Sequence, residues 1–253
     1  MKKISAGALS RTIAAVMLAI ATASIPAPVR ADDPATDGHS VYDTVIYWGF
    51  DYSRARSSQY GIGADAGFVS ALNGDISQTG WTVSGNIGGS RSVSGLSSTN
   101  SAYGSVLVGY QWHMPGYYIA LNAGIDAVNN NEKPGGSKTD GSKLGAIVQY
   151  GFETKSVDAF YLQSYGSFST AFTRLYGHAK VGYKTSDYKF GAEFTGYKDS
   201  GSAATYRVGG FFGDIPLGPV TMGVSAGLQL ERGIGLSNGF YGLLEFSVPI
   251  SIH

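Results

Sequence analysis

Alternation with a period of two residues limits what this chain can become more than any other feature. In TMGVSAGLQLE (221–231), Met222, Val224, Ala226, Leu228 and Leu230 fall on one face, with Thr221, Gly223, Ser225, Gly227, Gln229 and Glu231 on the other. AFTRLYGHAKVGY (171–183) sets Leu175, Ala179, Val181 and Tyr183 opposite Arg174, His178 and Lys180. YYIALNAGIDA (117–127) sets Ile119, Leu121, Ala123 and Ile125 against Asn122 and Asp126. Such runs describe strands with one polar and one apolar face. A helical reading would also place many glycines in helix interiors, at about 1 kcal/mol each.

Counting similar runs predicts about twelve strands. They lie near 44–53, 60–72, 80–91, 101–112, 117–128, 142–154, 157–166, 171–184, 187–198, 203–213, 219–231 and 239–250. Candidate turns between them are NGD (73–75), MPG (114–116), TSD (185–187), DSG (199–201) and SNG (237–239), all built from residues that tolerate tight bends. Strand length then selects the architecture. Eleven residues at roughly 3.3 Å each, tilted near 40°, cover about 28 Å along a barrel axis, which matches a hydrocarbon layer. An even strand count suits a single-chain outer-membrane barrel. The expected fold is all-β, a single antiparallel transmembrane-type β-barrel of about 12 strands. A secreted soluble barrel or sandwich would show the same alternation and is the competing architecture.

The amino terminus reads as an address. Lys2, Lys3 and Arg11 precede and flank the apolar core TIAAVMLAIATAS (12–24), and Val29 and Ala31 occupy the small-residue cleavage positions. The apolar run is too short for a spanning helix. The expected organisation is a signal peptide (1–31), a polar lead-in (32–43) and a barrel domain (44–253). Removing 1–31 takes four of the 18 basic residues and none of the 18 acidic ones, so the mature chain carries a net charge of −4. Nothing in that balance calls for nucleic acid. The absence of Cys excludes disulfides, thiolate metal sites and a thiol nucleophile.

Connection lengths and aromatics set an orientation. If the amino terminus is periplasmic, the odd connections face outward and should be longer. VSGLSST (93–99), NNNEKPGGSKTDG (129–141) and RGIGLSN (232–238) are the long candidates, against MPG, KS (155–156) and TSD. Trp112, Tyr117, Tyr150, Phe152, Phe160, Tyr183 and Tyr188 cluster at the short-turn ends, the expected site of an aromatic belt at the headgroup level.

Motifs that carry chemistry are few. Gly223-Val224-Ser225-Ala226-Gly227 has the nucleophile-elbow pattern but lies inside an alternating strand with no helix after it. His39, His113, His178 and His253 share no metal-ligand spacing, and no catalytic, cofactor or metal site is expected. Alternation aims Asp51, Asp65, Asn86, Gln111, Asn122, Asp126, Gln149 and Glu153 inward from the first half. It adds Arg174, His178, Lys180, Lys189, Glu193, Arg207, Gln229, Glu231 and Glu245 from the second. These near-balanced charges suit either a self-paired plug or a hydrated path for neutral polar solutes. Eight-stranded barrels are filled and sixteen-stranded ones open, so twelve strands leave conduction undecided.

YWGFDYSR (47–54), YGIGADAGFVSALNGDISQTGWTVSGNIGG (60–89), SVLVGYQW (105–112) and the GIDA strand (124–127) give the chain a layout that resembles the bacterial cellulose biosynthesis protein BcsS family. The resemblance implies an outer-membrane-type barrel accessory to exopolysaccharide (cellulose) biosynthesis, export or surface organisation, and it brings no catalytic residues. The partners it implies are outer-membrane lipid, cellulose or another glucan, and the cellulose synthase machinery. The implied location is the bacterial outer membrane, with the periplasm as alternative. A general diffusion pore or structural barrel without a polysaccharide role is the competing function, and a lumenal lipid hydrolase built on His178 and Ser225 is the third. FSVPISIH (246–253) departs from the usual aromatic terminus of such barrels and places Pro249 in the last strand, where it removes a ladder bond.

Overall fold

The computed structural model describes residues 41–55, 59–201, 204–233 and 235–252, giving the backbone alone for 231–238. The expected signal peptide and most of the lead-in lie outside the described residues. The alternating runs form twelve strands: β1 (Thr44–Ala55), β2 (Gln59–Ala71), β3 (Gly80–Ser94), β4 (Ser97–His113), β5 (Tyr117–Lys133) and β6 (Gly141–Thr154) make the first half. β7 (Ala159–Ser169), β8 (Arg174–Lys184), β9 (Lys189–Lys198), β10 (Thr205–Leu217), β11 (Val220–Gly233) and β12 (Gly235–Ile250) make the second. Each strand pairs antiparallel with its chain neighbours, and β12 returns to β1, so the sheet is a closed barrel without edges.

Closure runs from Thr44↔Ile250 to Ala55↔Gly239. The Asp43 carboxylate extends the seam by accepting the Ile252 N–H at 3.0 Å. Pro249 sits beyond the last β11–β12 pair at this end, Thr221↔Ser247, and therefore interrupts no ladder on that side.

The two faces of the sheet are inverted relative to a soluble barrel. In β5, Asp126, Asn130 and Glu132 are buried, while Leu121 and Ile125 stand exposed on the outside. Every strand repeats this, from Ile46 and Phe50 on β1 to Phe240 and Leu244 on β12. The apolar face therefore covers the whole circumference, and the polar face is enclosed.

Two expectations about connections are corrected. Segments 93–99 and 232–238, read as loops from their Gly, Ser and Asn content, are largely strand. β3 and β4 run on to a tight connection at 95–96, and SNG (237–239) lies inside β12. Of the three long candidates only 129–141 keeps a loop, at 134–140, and the even-numbered connection 72–79 is as extended, so length does not separate the two ends. Extended hairpins replace the other expected loops, with β4 and β5 each reaching 17 residues. Continued ladder pairing, such as Arg91↔Asn100, satisfies backbone groups that a loop would leave to water. The β7–β8 connection is also not strand: Ala171–Thr173 form a short 3₁₀ turn that folds inward, burying Ala171 and Phe172.

Candidate functional site: the barrel lumen

Period-two geometry sends every second residue into the lumen, and the two halves of the wall contribute differently. β2 to β4 supply mainly small groups, among them Gly63, Gly67, Ser84, Gly88, Ser92 and Ser105. β5 to β12 supply long ones that cross the interior. Tyr47 and Tyr103 lie flat along the thin wall, and a Cβ on Gly67 or Gly88 would collide with their rings.

Ion pairs span the lumen as chords. Arg207 on β10 reaches Asp51 on β1, three strands away, at 3.1 Å, and its Nε donates to Gln229 Oε1 at 2.9 Å. Its guanidinium also lies 5.1 Å from the centre of the Tyr241 ring. Lys180 on β8 pairs with Glu245 on β12. Lys189 on β9 lies 3.6 Å from Glu153 on β6 and 3.0 Å from Asp214. A register shift in β10 between Phe212 and Ile215 places Asp214 there, with a positive φ of 61°. Arg174 on β8 binds the Asp126 carboxylate on β5, which also accepts the Ser169 hydroxyl at 2.9 Å. The tyrosines close the gaps: Tyr161 donates to Glu153 at 2.8 Å, Tyr241 donates to Glu193 at 2.6 Å, and Tyr165 stacks on His178.

The centre of this layer is closed to water, while the Arg174, Glu245 and Asp214 side chains, 16%, 22% and 29% exposed, face the flanking cavities. Tyr161 is 0% exposed, Glu153 and Arg207 2%, and His178 and Glu193 3%. Side chains lining a hydrated channel would be wetted from within. Among the described residues, two small cavities flank the layer. One of about 60 Å³ lies toward the chain termini, beside Lys180, Lys189, Asp214 and Glu245. The other, of about 50 Å³, lies toward the opposite mouth, beside Ser101, Asn130, Phe172 and Arg174.

The structure places Asp65, Asn86, Gln111, Asn122, Asp126, Gln149, Glu153, Arg174, His178, Lys180, Lys189, Glu193, Arg207, Gln229 and Glu245 at inward positions. Glu231 falls where side chains are outside the described residues. Trp112, Tyr117, Tyr150, Phe152, Phe160 and Tyr183 point outward near the short connections, and Tyr188 lies in one of them. There Tyr117 packs with Phe152, Tyr183 with Phe190, and Tyr188 with Phe212. Sequence reasoning missed Asn130, Glu132, Gln163 and the lumenal tyrosines. Extending the alternation of β5 past Asp126 finds Asn130 and Glu132, that of β7 finds Tyr161, Gln163 and Tyr165, and that of β1, β4 and β12 finds Tyr47, Tyr103 and Tyr241.

His178 and Ser225 come together only through a third group. Ser225 Oγ donates to Glu193 at 2.9 Å, and His178 Nε2 lies 3.5 Å from the same carboxylate oxygen. No hydrogen bond joins the hydroxyl to the imidazole, whose Nδ1 lies 3.0 Å from the Tyr165 hydroxyl. The arrangement can hold charge in place, but it does not present an activated serine. Among the described residues, no cluster of His, Asp and Glu has the arrangement of a metal site.

Residues 45–250 match the family model for the cellulose biosynthesis protein BcsS. Among solved structures, the β domain of the Bordetella autotransporter Brka aligns with TM-score 0.49 and 10% identity, covering 82% of this chain and 99% of that one. The KdgM porin aligns with TM-score 0.47 and 8% identity, covering 81% and 99%. The translocator domain of the autotransporter NalP from Neisseria meningitidis aligns with TM-score 0.48 and 11% identity, covering 84% and 90%. No curated protein matches the chain.

Proposed function

We propose that this chain, which belongs to the cellulose biosynthesis protein BcsS family, is a non-catalytic outer-membrane barrel that assists cellulose secretion or surface organisation without passing the polymer through its lumen. The observation that carries this reading is the water-tight layer of ion pairs and tyrosines at mid-barrel. A water needs roughly 10–15 Å³ of such space, so cavities of about 50 and 60 Å³ hold a few waters each. A glucan chain needs an uninterrupted opening, and none leads through that layer among the described residues.

Two further features support the location. A continuous apolar circumference of this extent is stable only against hydrocarbon or another apolar surface. The outward aromatics near the short connections supply rings where headgroups meet acyl chains. That end, which also carries the chain termini, is then periplasmic, and the extended β3–β6 hairpins project outside. The enclosed ion pairs disfavour a general diffusion pore, and the Ser225–Glu193–His178 geometry disfavours a lumenal hydrolase.

The decisive experiment is deletion of the chain in its native host, measuring cellulose at the cell surface against a complemented strain. Reduced, retained or disorganised polymer is expected. Unchanged amount, export and architecture would defeat the reading. Fractionation tests location: recovery in the soluble periplasm without detergent, with no heat-dependent gel mobility, would exclude the membrane.

A further inference from the structure

The cavity beneath the outer mouth is built unlike the rest of the lumen. Buried polar atoms in native structures almost always have hydrogen-bond partners. Among the described residues, five buried side-chain atoms have none, and three of them, Ser101 Oγ, Asn130 Oδ1 and Arg174 Nε, belong to residues that line this single cavity. They are a hydroxyl, an acceptor and a donor.

Two of these groups are held in place. Asn130 is 4% exposed, and its Nδ2 donates to the Thr139 carbonyl at 2.8 Å, which leaves Oδ1 as a fixed acceptor. Arg174 is anchored by its Nη2 to Asp126, itself held by Ser169, which leaves Nε–H as a fixed donor. Apolar surface lies beside them. Phe172 packs against Val128 and Tyr103 as the inward-folded turn closes over the mouth. Positive φ at both Phe172 (55°) and Thr173 (49°) shows the backbone bent to deliver that ring. A few placed polar groups against apolar and aromatic walls is the pattern of a small-molecule site.

Local charge selects the ligand. Arg174 is already neutralised by Asp126, so an anion gains no free cation here and meets the carboxylates of Asp126 and Asp199, which lines the same cavity. A cation meets the guanidinium, and the Asp199 carboxylate is already engaged by the Tyr197 hydroxyl and the Gly201 N–H. What the three atoms ask for is a neutral group that donates and accepts at neighbouring positions, as adjacent hydroxyls on a sugar ring do. We propose that this cup binds the terminal ring of a neutral glucan, edge first, by Ser101, Asn130 and Arg174, with the body of the chain outside the barrel. The word glucan rests on the cellulose reading above. The neutral polyol comes from the cavity itself. The volume of about 50 Å³ admits the edge of one ring and no more, which makes this a chain-end grip and not a passage.

The test is equilibrium titration of the full chain, folded in detergent, with cellotetraose, maltotetraose and a galacturonate tetramer. Saturable binding of both neutral glucans is expected, because the cup meets one ring whatever the linkage behind it. Binding of the acidic oligomer should be weaker. Ser101→Ala and Asn130→Ala should each weaken neutral-glucan binding about tenfold. Heat-dependent gel mobility should be kept, particularly for Ser101→Ala, whose lost hydroxyl has no partner in the protein. No saturable binding by the folded wild type, or binding untouched by both substitutions, would overturn the site. Tighter binding of the galacturonate tetramer would overturn the neutral-ligand assignment. The cellulose function fails separately: a deletion without cellulose phenotype, beside a chain that binds cellotetraose, leaves the site standing and removes the function. A clear phenotype with no oligosaccharide binding does the reverse.

Discussion

Arg207→Ala is the perturbation that tests most directly whether the lumen is closed. Arg207 is 2% exposed, and its partners Asp51 and Gln229 are 8% and 4% exposed. Truncation removes the Nη2–Oδ2 contact to Asp51 at 3.1 Å, the Nε bond to Gln229 at 2.9 Å and the stacking on Tyr241. It strands a carboxylate in a site from which water is excluded. Breaking such a buried pair from one side costs about 3–5 kcal/mol, whereas an exposed pair is worth at most about 1 kcal/mol. The contrast is large enough to decide between a packed and a hydrated interior. Asp51→Leu combined with Arg207→Met removes both charges together and should recover most of the loss, since the pair itself is offset by its desolvation. Urea unfolding in lipid vesicles provides the assay. Trp48, Trp81 and Trp112 occupy outward strand positions, so their fluorescence follows insertion and folding. A loss below about 1 kcal/mol for Arg207→Ala would show that water reaches this layer and would refute the closed lumen.

Leu228→Arg, at an outward and 61% exposed position on β11, should cost about 2–4 kcal/mol in vesicles, against about 0–1 kcal/mol for Leu217→Arg at the end of β10. Equal costs would contradict the membrane register. Gly182→Ala should cost about 1–3 kcal/mol, because a Cβ there meets the Phe190 carbonyl oxygen across the ladder, while Gly177→Ala on the same strand meets nothing within 4 Å and should be far milder in the same titration. In the β2–β3 connection, burial alone would raise the Asp75 carboxyl, but hydrogen bonds from the Ser77 hydroxyl and N–H and from Gln78 hold it below the usual carboxylate value. Its folded pKa therefore lies below an unfolded value of about 3.9, so its contribution is complete above that pH and vanishes as pH falls through the folded value. Amide-exchange protection of Ser77 should drop over that window in the wild type and be low and flat in Asp75→Asn. Finally, the purified barrel should give no steady conductance in a planar bilayer, and a sustained open level would remove the plug.

Strand number, facing and closure were legible because they depend on a local quantity, the side-chain period. The alternation from Ile119 to Asp126 alone fixes which face of β5 is enclosed, and one shifted residue would invert it. Strand ends were less legible. Glycine, serine and asparagine at 93–99 and 232–238 have low strand propensity, yet pairing in a closed barrel overrides it, since each added ladder bond satisfies backbone already held beside a neighbour. The inward 3₁₀ turn left no periodic trace, because three residues carry no period. Phe172, next to Ala171 and Thr173, reads like the start of another strand until the pocket that receives its ring is known.

The lumen shows where local reading must stop. Alternation says that Asp51 and Arg207 both point inward, but they are 156 residues apart, and whether they meet depends on barrel circumference, tilt and the side chains between them. The same inventory of acids and bases, on a wider barrel, would line a channel. Here small residues on β2–β4 narrow one wall, and tyrosines from the other strands fill what the ion pairs leave. Filling and pairing reinforce one another. Excluding water strengthens each pair electrostatically, and each satisfied pair removes the cost of keeping water out. A lumen in that state has little reason to open for solute. Among the described residues, fixed polar atoms remain unsatisfied in numbers at the mouth opposite the chain termini, at Ser101, Asn130 and Arg174. On the proposed function, contact with polymer is a matter of surface and chain end, which is why oligosaccharide binding, and not conductance, is the property to measure first.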